Sequence, residues 1–278
     1  MKMSKNRPNK SSRKYLKLIK SMKKTESKMM KMKKSDENKR FQTKCSDGLT
    51  YKGQLKDGLE NGYGSWFRLD GTLSYKGEFK DGFPEGQGTR FNVDGSILLE
   101  CEFKDGFENG HGTAFNPDGS VFYKGEFEDG KLDGRGTRFY PDGSILYQGD
   151  FKDGVANGQG VRFEKNSCYF RGEFKNYLPH GLVTEYRSDG SLHFHGEFQD
   201  GKSNGQGVLF GPEGFILFQG EFRDGKSNGL GTGFFPNGSI HYQGEMKNAN
   251  FHGQVTIYDE DGLIEVQGKF RDGIIELD

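Results

Sequence analysis

A fixed period of 24 residues constrains this 278-residue chain more than any other feature. Phe79, in the segment YKGEFKDGFPEGQGTRFNVDGS, recurs as Phe103, Phe127 and Phe151. One residue is missing near Cys168, after which the same period resumes. Such a period indicates a repeat architecture, in which each repeat buries its apolar surface against its neighbours.

Numbering each repeat from Tyr51 gives nine complete repeats and a truncated tenth over residues 51–278. Position 17 is always Phe or Tyr. Position 5 is Phe in eight of ten repeats, among them Phe79, Phe103, Phe127, Phe151, Phe174, Phe198 and Phe222. Position 12 is Gly in all nine complete repeats, namely Gly62, Gly86, Gly110, Gly134, Gly158, Gly181, Gly205, Gly229 and Gly253. A catalytic residue is expected once, so these residues are predicted to be structural, with positive φ or close backbone approach at position 12.

Each repeat is predicted to form two short antiparallel strands. Positions 1–6 alternate apolar and polar residues, the period of a half-buried strand. The glycine-rich segment DGFPEGQG is expected to be a turn, with the second strand starting at position 15. Asp-Gly pairs in segments such as 116–120 provide the positive φ of a tight return. The predicted fold is therefore all-β, an elongated single-layer antiparallel hairpin array.

Strand alternation predicts two different faces. Thr89 and Phe91 share one face, and Ile97 is carried onto a common face with positions 1, 3 and 5. The other face is expected to have an acidic row at position 4 among the basic residues Lys76, Lys80, Arg90 and Arg138. This row is interpreted as a solvated face with weak cross-strand pairs, and the alternative is a dedicated acidic binding row.

Composition favours a folded chain without a transmembrane span. Aromatic residues make up 14% of the chain, an apolar content that a solvated tail would lack. No apolar run is long enough to cross a bilayer. The N-terminus has no apolar segment typical of a secretory signal. Cys45, Cys101 and Cys168 are too scattered for a disulfide framework or a zinc cage, which favours cytoplasmic surroundings. No catalytic residue, metal site or cofactor is predicted.

Charge divides the chain into a basic arm and an acidic array. Residues 1–40 hold 16 Lys and Arg against 3 Asp and Glu, a net charge of +13. Because the whole chain is neutral, residues 41–278 carry −13. Residues 41–50 are predicted to be a capping half-hairpin. The arm residues expected to contact a membrane or a partner are Lys14, Leu16, Lys17, Ile19, Lys20, Met22, Lys23 and Lys24.

The arm is open to several interpretations. Read as a helix, residues 11–34 place Leu, Ile and Met on one side and lysines on the rest, and the alternative is a disordered Lys-rich tail. A membrane-surface helix, a calmodulin-like target, a nuclear import signal and a nucleic-acid arm are the functional readings. Lysine dominance and the scarcity of aromatic residues disfavour nucleic acid.

The repeated segments YKGEFKDGFPEGQGTRFNVDGS, YKGEFEDGKLDGRGTRFYPDGS and QGEFRDGKSNGLGTGFFPNGS resemble MORN (membrane occupation and recognition nexus) repeats. The resemblance covers residues 51–278. It implies an antiparallel β array that acts as a scaffold, makes homotypic or heterotypic protein contacts and in some members associates with phospholipid. Some members add a catalytic domain, for which no room is expected here.

Repeats six and nine depart from the frame. Tyr177 and Val183 replace glycines in repeat six, and Ala249 and Val255 do so in repeat nine. Their loops are expected to be built differently, by drift in a tolerant surface. The alternative is that Tyr177, Leu178, Pro179 and Phe251 form apolar prongs for a partner.

The sequence thus predicts a non-enzymatic scaffold that its arm can tether peripherally to an anionic membrane. The alternatives are a phospholipid-binding module acting through the sheet and an antitoxin-like module that binds a toxin partner. Ile274, Ile275 and Leu277 on an open sheet edge also predict end-to-end self-association.

Overall fold

The computed structural model describes residues 41–44, 48–165 and 168–276. The predicted basic arm, residues 1–40, lies outside them. The chain divides into two compact units, the first ending at Phe107 and the second starting at Glu108.

All regular elements of the described residues are β-strands, and within each unit consecutive strands pair antiparallel. The first unit contains β1 (Phe41–Lys44), β2 (Thr50–Lys56), β3 (Leu59–Phe67), β4 (Leu73–Lys80), β5 (Phe83–Phe91) and β6 (Ile97–Lys104). The second contains β7 (Phe107–Phe115), β8 (Val121–Glu128), β9 (Lys131–Phe139), β10 (Ile145–Lys152), β11 (Val155–Phe163), β12 (Tyr169–Lys175), β13 (Leu178–Tyr186), β14 (Leu192–Gln199), β15 (Lys202–Phe210), β16 (Ile216–Arg223), β17 (Lys226–Phe234), β18 (Ile240–Lys247), β19 (Asn250–Tyr258), β20 (Ile264–Arg271) and β21 (Ile274–Ile275). The predicted all-β, antiparallel hairpin fold is confirmed. Within the described ranges, no helix has the length and apolar character needed to span a bilayer.

Each hairpin turns over two residues only. Lys80 pairs with Phe83, so Asp81 and Gly82 alone form the turn, with φ of +50° and +86°. Two successive positive φ values define the primed turn that matches strand twist. The second strand therefore begins at position 9, and the prediction that it starts at position 15 is wrong because glycines 12 and 14 lie inside the strand.

Position 12 lies in a β-bulge. Gly77 pairs with Gly88 and Phe79 with Pro84, so that residues 85–87 stand opposite a single residue. The nine glycines at position 12 have φ between +68° and +114°, which confirms the predicted positive φ.

A second irregularity, one extra residue in the returning strand, changes the face of the sheet on which the residues before it lie. Arg90 pairs with Leu99 while Phe91 pairs with Ile97, leaving Leu98 as an extra residue. Ile97 therefore shares a face with Phe91, and the prediction that it lies with positions 1, 3 and 5 is wrong. Uniform alternation misses this because it assumes a strand without bulges.

Candidate binding faces of the repeats

The buried face, formed by positions 1, 3 and 5, holds an aromatic ladder whose rings pack against glycines of the same sheet. Tyr123 lies over the facing glycines Gly125 and Gly136, where an added Cβ would come within 2.5 and 2.2 Å of its hydroxyl oxygen. Its ring meets Phe127 and Phe151 edge-to-face at 5.4 and 5.1 Å. Two glycines per hairpin thus provide the space that the aromatic ring occupies.

The hydroxyls of the fully buried tyrosines on this face are hydrogen-bonded. The Tyr51 hydroxyl donates to the carbonyl oxygen of Gln54 at 2.7 Å, and the Tyr123 hydroxyl to that of Glu126 at 3.1 Å. Burial raises the pKa of Tyr51 and of Tyr123 to about 12. The rings therefore stay neutral and fixed at physiological pH.

The predicted scaffold phenylalanines all lie on the buried face. Phe79, Phe103, Phe127, Phe151, Phe174, Phe198 and Phe222 are each less than a tenth exposed. They serve packing and offer no accessible binding group.

Two arginines predicted to surround the acidic row lie on the buried face instead. Arg138 pairs with Tyr123, its guanidinium lies 4.7 Å from the Phe122 ring, and it donates to the Tyr177 hydroxyl at 2.7 Å. Arg90 donates to the carbonyl oxygen of Gly106 at 3.1 Å. Arg90 thus contacts the turn of the following repeat, and Arg138 contacts a turn residue of repeat six. The prediction failed because position 16 has the same parity as the glycine at position 14.

The polar face carries positions 2, 4 and 6. Its acidic row closes the bulge at position 12, where a Cβ on Gly134 would lie 1.9 Å from a Glu126 carboxylate oxygen. The Arg135 backbone N–H donates to Glu126 at 3.1 Å, and the Gln159 backbone N–H donates to Asp150 at 2.9 Å. The row therefore has a structural role in the hairpin, beyond the weak pairs expected of a solvated surface.

Neighbouring turns are hydrogen-bonded to one another within each unit. The backbone N–H at position 8 donates to the carbonyl oxygen at position 10 of the preceding repeat, as Gly154 does to Leu132 at 2.8 Å. At position 11 a side-chain acceptor receives the next turn's N–H, as Asn157 does from Asn176 at 3.1 Å. Repeated hydrogen bonds of this kind fix the stacking of successive hairpins.

The turns of repeats six and nine keep the two positive φ values of the other hairpins. Asn176 and Tyr177 have φ of +51° and +66°, and Asn248 and Ala249 have the same values. The expectation of differently built loops is therefore wrong, because side chains there accept positive φ at a cost of about 1–2 kcal/mol.

The predicted apolar prongs are largely packed into the sheet. Tyr177 contacts the Tyr147 and Phe151 rings at 6.1 and 6.2 Å, Pro179 is buried, and Phe251 packs against Tyr242. Leu178 alone is exposed, at 40%.

A second apolar row lies on the polar face, where sequence reasoning did not place one. Phe91 and Ile97 form one such pair in the first unit. We call the equivalent residues at positions 17 and 23 near the end of the second unit the apolar stripe: Tyr186, Leu192, Phe210, Ile216, Phe234, Ile240, Tyr258 and Ile264. All of them are at least partly exposed. The invariable aromatic residue at position 17 was the sequence signal for this row.

The loops beside the stripe carry carboxylates at position 20. The Ser191 backbone N–H donates to Asp189 at 2.8 Å. Hydrogen bonds from Ser191 lower the pKa of Asp189, and those from Ser120 do the same for Asp118. The lowered pKa keeps the carboxyl groups of Asp189 and Asp118 charged at neutral pH.

The remaining predicted site residues are distributed as follows. Cys101 is buried, and Cys168 is partly buried. The described parts of the chain contain no group of three or more His, Cys, Asp or Glu arranged to hold a metal ion. The arm residues Lys14, Leu16, Lys17, Ile19, Lys20, Met22, Lys23 and Lys24 lie outside the described residues.

Comparison with known families identifies eight of the repeats. The family model for the MORN repeat matches residues 51–72, 75–97, 102–121, 123–145, 147–167, 170–192, 194–214 and 218–240. Residues 242–275 lie beyond these matches but form the same hairpins, β18 to β21. A search among curated proteins gives no match.

Proposed function

Because the chain belongs to the MORN repeat family, we propose that it is a non-catalytic cytoplasmic scaffold, with repeats that bind a protein partner and basic residues 1–40 that attach it to anionic membrane surfaces. The scaffold role rests on surface positions that recur in each hairpin, and the membrane role rests on the basic residues concentrated in the arm.

The observation that carries the scaffold role is the recurrence of the same outward positions in each hairpin. Within a unit, side chains at equivalent positions recur every two strands, or about 9.6 Å. The apolar stripe and the acidic loops beside it are thus presented as a regular series. Such a series suits an extended partner that contacts several repeats at once.

The charge division supports the membrane role of the arm. Its net charge of +13 favours an anionic leaflet, and each basic residue near the surface contributes about 1 kcal/mol. Leu16, Ile19 and Met22 add apolar side chains for shallow insertion. The array has a net charge of −13 and is repelled by the same anionic surface.

Vesicle flotation of the full chain tests the arm. Replacing Lys14, Lys17, Lys20, Lys23 and Lys24 with Gln should abolish flotation with anionic vesicles at low salt. The matched control replaces five exposed array lysines with Gln, namely Lys76, Lys80, Lys104, Lys124 and Lys175. This control should float as the unaltered protein does. Equal flotation of the two variants would assign binding to the repeats.

Partner capture with the same two variants tests the scaffold role. A partner held by the repeats should be retained by the arm variant. Loss of every partner from that variant would contradict the proposed division of roles.

Lipid binding through the sheet is a rival with one supporting observation, the exposed apolar stripe. Its loops carry carboxylates that repel anionic headgroups, so the stripe is better suited to a protein. Flotation of the arm variant distinguishes the two possibilities.

Self-association through strand edges stays a prediction. Ile274 is 74% exposed, whereas Ile275 covers Gly268. If such association occurs, Ile274→Lys should reduce the sedimentation coefficient at high protein concentration.

A further inference from the structure

The apolar stripe is an unpartnered surface of defined chemistry. Ile216 and Ile240 are 37% and 36% exposed, and Ile264 is 57% exposed. Each pairs across adjacent strands with an aromatic residue of position 17, namely Phe210, Phe234 and Tyr258. Exposed apolar residues that recur in this way on one face mark an interaction site.

Carboxylates border the stripe on its loop side. Position 20 of repeats six to nine is Asp189, Glu213, Asn237 and Asp261, so three of the four loops carry a carboxylate. Arg187 is the neighbouring cation, and its guanidinium is bonded to the carbonyl oxygens of Leu192 and Phe210. The loop border is therefore available to cations of a partner.

Repeat six has Arg171 at position 2, but from repeat seven onward the described residues on the strand side of the stripe include no lysine or arginine at positions 2 and 15. From repeat seven onward, positions 2 and 15 among the described residues are His195, Val208, Gln219, Thr232, Gln243, Thr256 and Gln267. In the first unit, by contrast, Lys52 lies 4.8 Å from the Phe67 ring of position 17 and covers it. The stripe thus combines apolar side chains with a one-sided negative border.

We propose that residues 11–34 of this chain dock on the apolar stripe between Tyr186 and Ile264. This segment has Leu16, Ile19 and Met22 among lysines, which complements an apolar row beside carboxylates. As a helix, its 24 residues would extend about 36 Å. Eight strands, β13 to β20, span about 34 Å, so the lengths match.

The consequence is competition for the arm. An arm segment docked on the stripe is withheld from the membrane, and the stripe is withheld from a partner. This inference uses the same segment as the proposed membrane tether. Docking of the arm is tested without lipid. A failure of docking can therefore be told apart from a failure of the proposed membrane tether.

The test is binding of a fluorescent synthetic peptide of residues 11–34 to the full chain. The receptor carries Leu16→Ser, Ile19→Ser and Met22→Ser, so that its own arm is disabled. Fluorescence anisotropy should show saturable binding. A scrambled peptide of equal charge, with its apolar residues dispersed, should bind more weakly.

A charge-neutral loop variant locates the site. Asp189→Asn, Glu213→Gln and Asp261→Asn together should weaken binding about tenfold, as expected for the loss of three exposed ion pairs. Asn is compatible with this loop, because Asn237 accepts the Ser239 N–H at 2.9 Å in the same way.

Matched controls use the same loop position elsewhere. Asp70→Asn, Asp94→Asn and Asp118→Asn together should leave the affinity unchanged. So should Leu182→Ser with Leu230→Ser, which are 55% and 62% exposed on the polar face but outside the stripe. Absence of saturable binding, equal binding of the scrambled peptide, or equal losses in the two loop variants would overturn the proposal.

Discussion

The glycine hairpin of repeat four and the valine hairpin of repeat nine fill the same space in different ways. In repeat four, the buried Tyr123 ring covers the facing glycines 125 and 136. In repeat nine, Val255 replaces the second glycine and is itself buried. The ring at position 1, Tyr242, is then only partly buried.

Where valine replaces the glycine, the backbone opposite the valine and the packing against the neighbouring repeat also differ. Gly244, opposite Val255, has φ of +155°, a value that favours glycine. The Tyr242 ring lies over Gly233, where a Cβ would come within 2.1 Å of it. Repeat six shows the same backbone change, with φ of +149° at Gly172 opposite Val183. Ring and valine are therefore alternative fillings of one site, and each requires its own set of glycines.

The largest expected effect comes from placing the valine in a glycine hairpin. Gly136→Val should destabilise the second unit by about 3–5 kcal/mol, because its side chain displaces the buried Tyr123 ring. Hydrogen exchange of β8 and β9 with chemical denaturation measures this cost. Unchanged protection of both strands would show that the ring does not need the glycine pair.

A smaller effect is expected at position 12, which the two hairpin types share. Gly134→Val should cost about 1–3 kcal/mol, since Gly134 has φ of +99° and faces Glu126. Leu132→Ala is the comparison, because Ala156 occupies the equivalent position naturally. Thermal unfolding should show the larger shift for Gly134→Val, and equal shifts would contradict the geometric role.

The smallest effect is expected in the turn of the valine hairpin. Ala249 has φ of +66° where most repeats have glycine. Ala249→Gly should therefore stabilise by up to about 1 kcal/mol through relief of strain. A lower denaturation midpoint would indicate that the alanine side chain contributes packing in this turn.

Local rules predicted the hairpins well and their irregularities poorly. The glycine-rich segment after position 6 was recognised as a turn, but the structure confines the turn to the Asp-Gly pair at positions 7 and 8, where both residues have positive φ. The glycine at position 12 was correctly given a positive φ but was interpreted as part of a turn. Its role depends on a bulge closed by Glu126, a contact between strands that no local pattern reveals.

The candidate surface was only partly predictable for a similar reason. Position 17 was recognised as invariably aromatic, but the face of Ile97 depended on the bulge at Leu98. Arg138 was assigned to the polar face although it contacts Phe122 and Tyr177. Side-chain direction after a bulge follows from register, which is set by both neighbouring strands.

A double-mutant cycle between positions 1 and 14 tests most directly whether ring and valine compete for one site. Gly136→Val is measured in the unaltered chain and in a chain carrying Tyr123→Ala, by chemical denaturation with hydrogen exchange of β8 and β9. With the ring removed, the valine should cost about 1 kcal/mol or less, giving a coupling energy of at least about 2 kcal/mol. An equal cost in the two backgrounds would contradict the account.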